Sequence, residues 1–312
     1  MGLILLRMEE LENQFVTKAK FYQEMGLWPR TIKLNYSRWL DNFTDEEDRK
    51  IAEQILDFFV YYSSDLIDQL LIAVVGKCGY LIKEKNPAWD HHMFKTHICY
   101  SFVPGEHPHP TDSGNLFTRK LRDVLHIPEG CIKDFKELSD LMRRVDNMKI
   151  ILVDDFVGSG FQCCTAWNNP ARRNVAGYPK FCDVVKDGGH EVYYAPLIIN
   201  HTGYQEIMDH CDGLQLVTMH ILGEEYSLGN PKCLCWKGDP KAYLKGIELI
   251  ERKSKELGIP MDNELDTRYW MGLKSQGLAL AFEHGMPDAC PSFFYWHKEG
   301  VWNPLIEKEY DR

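Results

Sequence analysis

The chain is short of several things, and each shortage removes a class of function. It lacks a long apolar leader. Residues 1–6 are apolar over too short a stretch for a signal peptide or a membrane helix, the latter needing about 20 residues, so the sequence predicts a cytoplasmic protein with no membrane partner. It lacks surplus positive charge: at a formal net charge of -10 it has no general basic face for nucleic acid or an anionic membrane surface, although a local basic patch fits within that total. It also lacks a cysteine framework, its ten cysteines being scattered, which predicts reduced thiols. Cys233 and Cys235 straddle Leu234 without the second ligand pair of a structural zinc site, and His91, His92, His107 and His109 show no metal spacing, so no protein-built metal site is expected. No Gly-x-Gly-x-x-Gly follows an early strand, which argues against a dehydrogenase-like dinucleotide fold.

What is present is an ordinary globular composition, 44% apolar and 26% charged, over 312 residues, enough for one large domain or two modest ones. Residues 150–162, Ile-Ile-Leu-Val-Asp-Asp-Phe-Val-Gly-Ser-Gly-Phe-Gln, are the most informative. Four branched apolar residues predict a buried central strand of a parallel sheet, and ligands of such sheets sit beyond the strand's carboxyl end. Asp154 and Asp155 fall at that end. Two neighbouring carboxylates, one to each side of the chain, can accept hydrogen bonds from a vicinal diol such as that of a ribose. Gly158 and Gly160 then allow backbone conformations that let successive amides converge on one anion, with Ser159 adding a hydroxyl. A helix starting near Phe161 would bring its free amides to the same anion. The bland alternative is an acidic strand end that caps a tight glycine turn.

Around this motif the sequence predicts a helical extension over residues 1–90 and an α/β domain over residues 91–312 with a mostly parallel sheet. Thr44 and Glu47 make a capping box for a helix through Ile51, Ile55, Phe58, Phe59 and Tyr62, and Ser63 and Ser64 restart a second through Ile67, Leu70, Leu71 and Val74. Trp28, Trp39 and Phe43 read as aromatic anchors of this helical bundle, the alternative being a partner-binding surface. The pattern changes after Gly76 and Gly79. Strands are expected over residues 97–103, 191–199 and 214–221, helices over residues 115–125 and 134–146, and a helix with a short strand within residues 262–282. His201 and Thr202 follow one of the strands and reach the ligand edge only if they are more than loop formers.

The spacing acid-acid-x-x-x-Ser-Gly after an apolar strand resembles the signature of type I phosphoribosyltransferases for 5-phosphoribosyl 1-pyrophosphate, PRPP. The resemblance implies that Asp154 and Asp155 hold the ribose 2- and 3-hydroxyls. Gly158, Ser159, Gly160, Phe161 and Gln162 would then wrap the 5-phosphate. Many members have Thr where this chain has Gln162, which can still donate to phosphate. An earlier loop of that fold contacts the pyrophosphate, which points to Ser113 and Gly114, although the same residues fit a plain N-cap by Asp112 or Ser113. Arg119 and Lys120, on the helix that follows, are within range of phosphates or simply solvated. An acidic chain with a polyanionic substrate also implies Mg2+ accompanying the pyrophosphate.

The flanking pieces narrow the resemblance. A set of bacterial phosphoribosyltransferase-like proteins from conflict and antiphage systems, including some retron cassettes, has a similar layout. Its counterparts here are Trp39-Leu40-Asp41-Asn42-Phe43, Asp112-Ser113-Gly114, residues 154–160, Gly285-Met286-Pro287-Asp288 and Trp302-Asn303-Pro304-Leu305. The resemblance implies a protein that binds PRPP or a related ribosyl phosphate and transfers or hydrolyses the ribosyl unit in antiphage defence. It also allows a catalytically inactive nucleotide sensor acting through a protein partner, and a homo-oligomer. No general base or base-recognition lysine stands out in the sequence, which keeps the sensor open.

Overall fold

A computed structural model describes residues 17–29, 33–105, 113–261 and 270–307. Its elements begin with helices α1 (Tyr36–Leu40) and α2 (Glu46–Phe58), strand β1 (Val60–Tyr62), helices α3 (Ser64–Lys85) and α4 (His91–Thr96), strand β2 (Ile98–Phe102), and helices α5 (Ser113–Asp123) and α6 (Phe135–Met142). Strand β3 (Lys149–Val157), helices α7 (Phe161–Asn168) and α8 (Phe181–Asp187), strand β4 (Glu191–Asn200) and helix α9 (His201–His210) follow. The last are strands β5 (Gln215–Leu216) and β6 (His220–Leu222), helix α10 (Pro240–Leu257) and strand β7 (Leu280–Phe282). These elements form two compact units, Asp65–Leu222 and Met1–Ser64 with Gly223–Arg312.

In the unit Asp65–Leu222 the apolar residues of β3 form a central strand because both its edges are paired. The order is β2-β3-β4-β5, with β6 also on β4, and every pairing is parallel, as expected for an α/β protein. On one face Ile150 and Leu152 of β3 and Tyr194 of β4 pack beneath Trp167 of α7 and Phe181 of α8. The other face carries α5, which packs on β2 and β3 and is tied to α3 by an ion pair between Lys120 and Asp68. With helices on both faces, an uninterrupted apolar run is the pattern such a strand requires.

The strand expected over residues 214–221 is two short strands. Both pair β4, Tyr193 opposite Gln215 and Ile198 opposite His220, and between these stretches β4 carries Pro196. Proline has no N–H, so the ladder lacks a donor there, and Val217 N and Met219 N reach the Tyr194 and Leu197 carbonyls on either side of the gap. Gly76 and Gly79 do not end a helix, since α3 runs on to Lys85. Gly79 is needed for packing: a Cβ on it would lie 2.7 Å from Phe94 Cε2. In α6 the expected start holds, with Asp134 accepting from Lys136 N and Glu137 N, but the helix ends at Met142.

In the second unit β1 and β7 pair in parallel, Tyr61 opposite Ala281. The cap of α2 is Asp45, which accepts from Glu47 N and Asp48 N, rather than the expected Thr44. Trp39 is fully buried against Phe293 and Phe294, and Phe43 meets the edge of Trp302. Asn42 donates to the Asn303 carbonyl at 2.8 Å and accepts from Asn303 N at 2.9 Å. The sequence placed a boundary at residue 90, yet the aromatic residues near residue 40 share a core with the segment after Gly223. The expected helix within residues 262–282 falls largely on residues 262–269, and Thr111, Asp112, His107 and His109 also lie outside the described residues. No helix among the described residues is long and apolar enough to cross a membrane.

Candidate functional site

Strand β3 leads directly into a bend at residues 158–160, and the bend opens into α7. Gly160 takes φ +76, a left-handed conformation suited to glycine, and stands as the N-cap of α7 without a capping side chain. Phe161 is the first helical residue, as expected, and is 52% exposed. Ser159 Oγ accepts a long bond, 3.4 Å, from Phe161 N. Gln162 donates through Nε2 to the Val103 carbonyl at 3.2 Å, tying the bend to the carboxyl end of β2. The side chain expected to reach phosphate is thereby engaged in joining two loops.

The two aspartates have different surroundings. Asp154 is buried, with Oδ2 accepting from the Tyr194 hydroxyl at 2.6 Å and Oδ1 accepting from Asp155 N at 3.0 Å. Burial, and then the charge of Asp155, hold its carboxyl well above the usual carboxylate range. Burial and the neighbouring Asp154 likewise push the Tyr194 phenol up, so it stays a donor. Asp155 is half-buried. The pair thus consists of an inner acid held by a tyrosine and an outer acid beside the bend.

A second helix start adjoins the same bend. Helix α9 begins directly after β4, also without a capping side chain, and His201 and Thr202 are exposed in its first turn. The close approach depends on two glycines. A Cβ on Gly160 would lie 2.9 Å from the Gly203 carbonyl oxygen, and one on Gly203 would lie 2.7 Å from the Gly158 carbonyl oxygen and 3.0 Å from Gly160 N. Two helix N-termini whose N-cap residues make no capping bond therefore meet beside the adjacent ends of β3 and β4, where amides and helix dipoles favour an anion.

The loop after β2 leaves the sheet beside this bend, because Phe102 pairs with Val153. Ser113 opens α5, and Gly114 is buried against Phe102, where a Cβ would lie 2.1 Å from Cδ2. Gly114 thus has a packing reason as well as the expected ligand role. Of the basic residues of α5, Lys120 is paired with Asp68 and Arg122 with Asp123 and Glu129, while Arg119 is exposed. Among the described residues no group of three or more His, Cys, Asp or Glu side chains is arranged to hold a metal. Tyr194, Gly203 and the Val103 carbonyl were not legible as parts of this site, because each reaches it from another element. Only the pairing of β3 with its neighbours shows them.

A family model described as PRTase-CE matches residues 36–308. No curated protein matches the chain. The match takes in the acid pair, the glycine bend, both flanking strands and the C-terminal aromatic segment, so the chain belongs to the PRTase-CE family and is a phosphoribosyltransferase-like protein.

Proposed function

We propose that the bend after β3 binds PRPP or a related ribosyl phosphate, and that the protein transfers the ribosyl unit to a nucleobase-like or other nucleophile, or to water. The observation that carries this reading is the meeting of a half-buried Asp155 with the uncapped, Gly160-initiated start of α7. The amides of residues 158–162 hold the 5-phosphate. Asp155 accepts from the ribose hydroxyls, and Asp154, fixed by Tyr194, stands behind it. Ser113 and Gly114, at the start of α5, are assigned to the pyrophosphate end.

In the reaction the bond from C1 to the pyrophosphate oxygen breaks, pyrophosphate leaves with the electron pair, and the nucleophile bonds to C1. Asp155 favours the cationic ribose electrostatically, and the loop amides position the phosphate. Mg2+ fits this donor set as a companion of the substrate, since a single accessible carboxylate plus phosphate oxygens is a common way to hold it. Its contribution is to neutralise the departing pyrophosphate. The resemblance to antiphage proteins supports the reading that this chemistry serves a bacterial defence effector in the cytoplasm.

A second reading is favoured by one observation: both oxygens of Asp154 already accept internal hydrogen bonds. With Asp154 so engaged, the pocket would sense a nucleotide or PRPP and act through a protein partner. Incubation with PRPP, Mg2+ and a panel of nucleobases, followed by mass spectrometry for pyrophosphate, separates the two. Release that disappears in Asp155→Asn supports transfer or hydrolysis; saturable binding without release supports the sensor. Failure to bind PRPP, other ribosyl phosphates and nucleotides removes both.

A further inference from the structure

A cleft of about 490 Å3 lies between α3, α4 and the segment that follows α5, within the unit Asp65–Leu222. It is remote from the bend after β3. Helix α4 runs into the amino end of β2, whereas the bend leaves the sheet at the carboxyl ends of the strands.

The cleft has an apolar, aromatic interior. Ile72, Gly76, Gly79, Tyr80 and Lys83 recur at helical spacing, so α3 presents one stripe to it. The missing side chain of Gly79 lets the Phe94 ring lie against the helix, and Trp89 lines the cleft beside it. Ile72 and Tyr80 are 41% and 64% exposed, so the stripe is left open.

Cations line this interior too. The side chains of Lys83, Lys95 and His126 have no hydrogen bond or ion pair among the described residues. His126 also takes φ +54, a left-handed conformation uncommon for a non-glycine residue and often found at ligand sites. The carboxylate in the lining, Asp90, accepts from Met93 N at the start of α4 and lies near His91. Lysines without an ion pair in a cleft that also carries aromatic side chains are out of keeping with a chain of net charge -10, and they match a flat apolar body carrying negative charge.

We propose that this cleft is a second ligand site, separate from the bend after β3, for a planar aromatic anion of nucleoside monophosphate size. The aromatic base lies against Phe94 and Trp89, and the anionic group meets Lys83 and Lys95. The volume falls in the range of about 300–1,000 Å3 usual for small-ligand sites.

The test is calorimetry of the 312-residue chain with the four common nucleoside monophosphates, their nucleosides and inorganic phosphate. At least one nucleotide is expected to bind saturably with a Kd below about 1 mM, and its nucleoside about tenfold or more weakly. The double variant Lys83→Glu with Lys95→Glu should weaken that nucleotide by at least about tenfold while leaving PRPP affinity unchanged, since both positions are far from the bend. Phe94→Leu, which keeps an apolar side chain on α4, should weaken it without affecting inorganic phosphate. No saturable nucleotide, or a nucleotide affinity unmoved by the lysine exchange, overturns the proposal.

Discussion

Tyr194 donates its hydroxyl to Asp154 Oδ2 across 2.6 Å, and both side chains are buried. Burial raises the pKa of each. The hydrogen bond from Tyr194 draws Asp154 back partway, and the charge of Asp155 pushes it further up. The inner acid is thus kept protonated to a higher pH than an ordinary aspartate, which makes its contribution to stability readable by titration.

A raised carboxylate pKa in the folded state means that the unfolded chain releases this proton first. Stability from Asp154 is therefore fully present below about pH 4, the ordinary aspartate range, and is lost as pH rises towards the folded value. Asp154→Asn, neutral at every pH, should flatten this loss. Thermal melts from pH 4 to 9 check it, the variant being expected to lose less stability than the parent as pH rises.

Tyr194→Phe removes the donor and leaves a buried carboxyl oxygen with one partner fewer. The expected cost is about 1–3 kcal/mol by chemical denaturation. Because the bond from Tyr194 lowers the Asp154 pKa, its loss should also carry the decline in stability on to higher pH.

Gly160 and Gly203 let the bend and α9 approach each other. Gly160→Ala combines φ +76 with a Cβ 2.9 Å from the Gly203 carbonyl, and should cost about 1–2 kcal/mol from conformation alone, more with the clash. Gly203→Ala, at an ordinary φ, instead presses on the Gly158 carbonyl 2.7 Å away. It should displace the bend and weaken PRPP binding by at least about tenfold. Thermal melts and PRPP calorimetry together distinguish the two effects.

Trp39→Ala empties a site formed with Phe293 and Phe294, and is expected to cost about 3–5 kcal/mol. Hydrogen exchange should quicken around Phe293 and Phe294 and at β7. An effect confined to the N-terminal helices would instead support an independent helical leader.

The central strand, the bend and the start of α7 were legible because their signals are local: an apolar run, two acids and two glycines within thirteen residues. The core of the second unit was not, since Trp39 and its partner Phe293 are 254 positions apart and no periodicity reports such a pairing. The break between β5 and β6 was hidden for a similar reason, as its cause, Pro196, lies on the neighbouring strand. The acid pair was legible as a pair, but its division into inner and outer members depends on Tyr194, which sits opposite Leu152 in the register with β4.

The claim that the bend after β3 is a sugar-phosphate site is tested most directly by calorimetric titration of PRPP with Mg2+ into the parent protein and Asp155→Asn. Saturable binding by the parent is expected, with at least about tenfold weaker binding by the variant at a temperature where its melt shows it folded. Absence of saturation in the parent, or equal affinity in both, would contradict it.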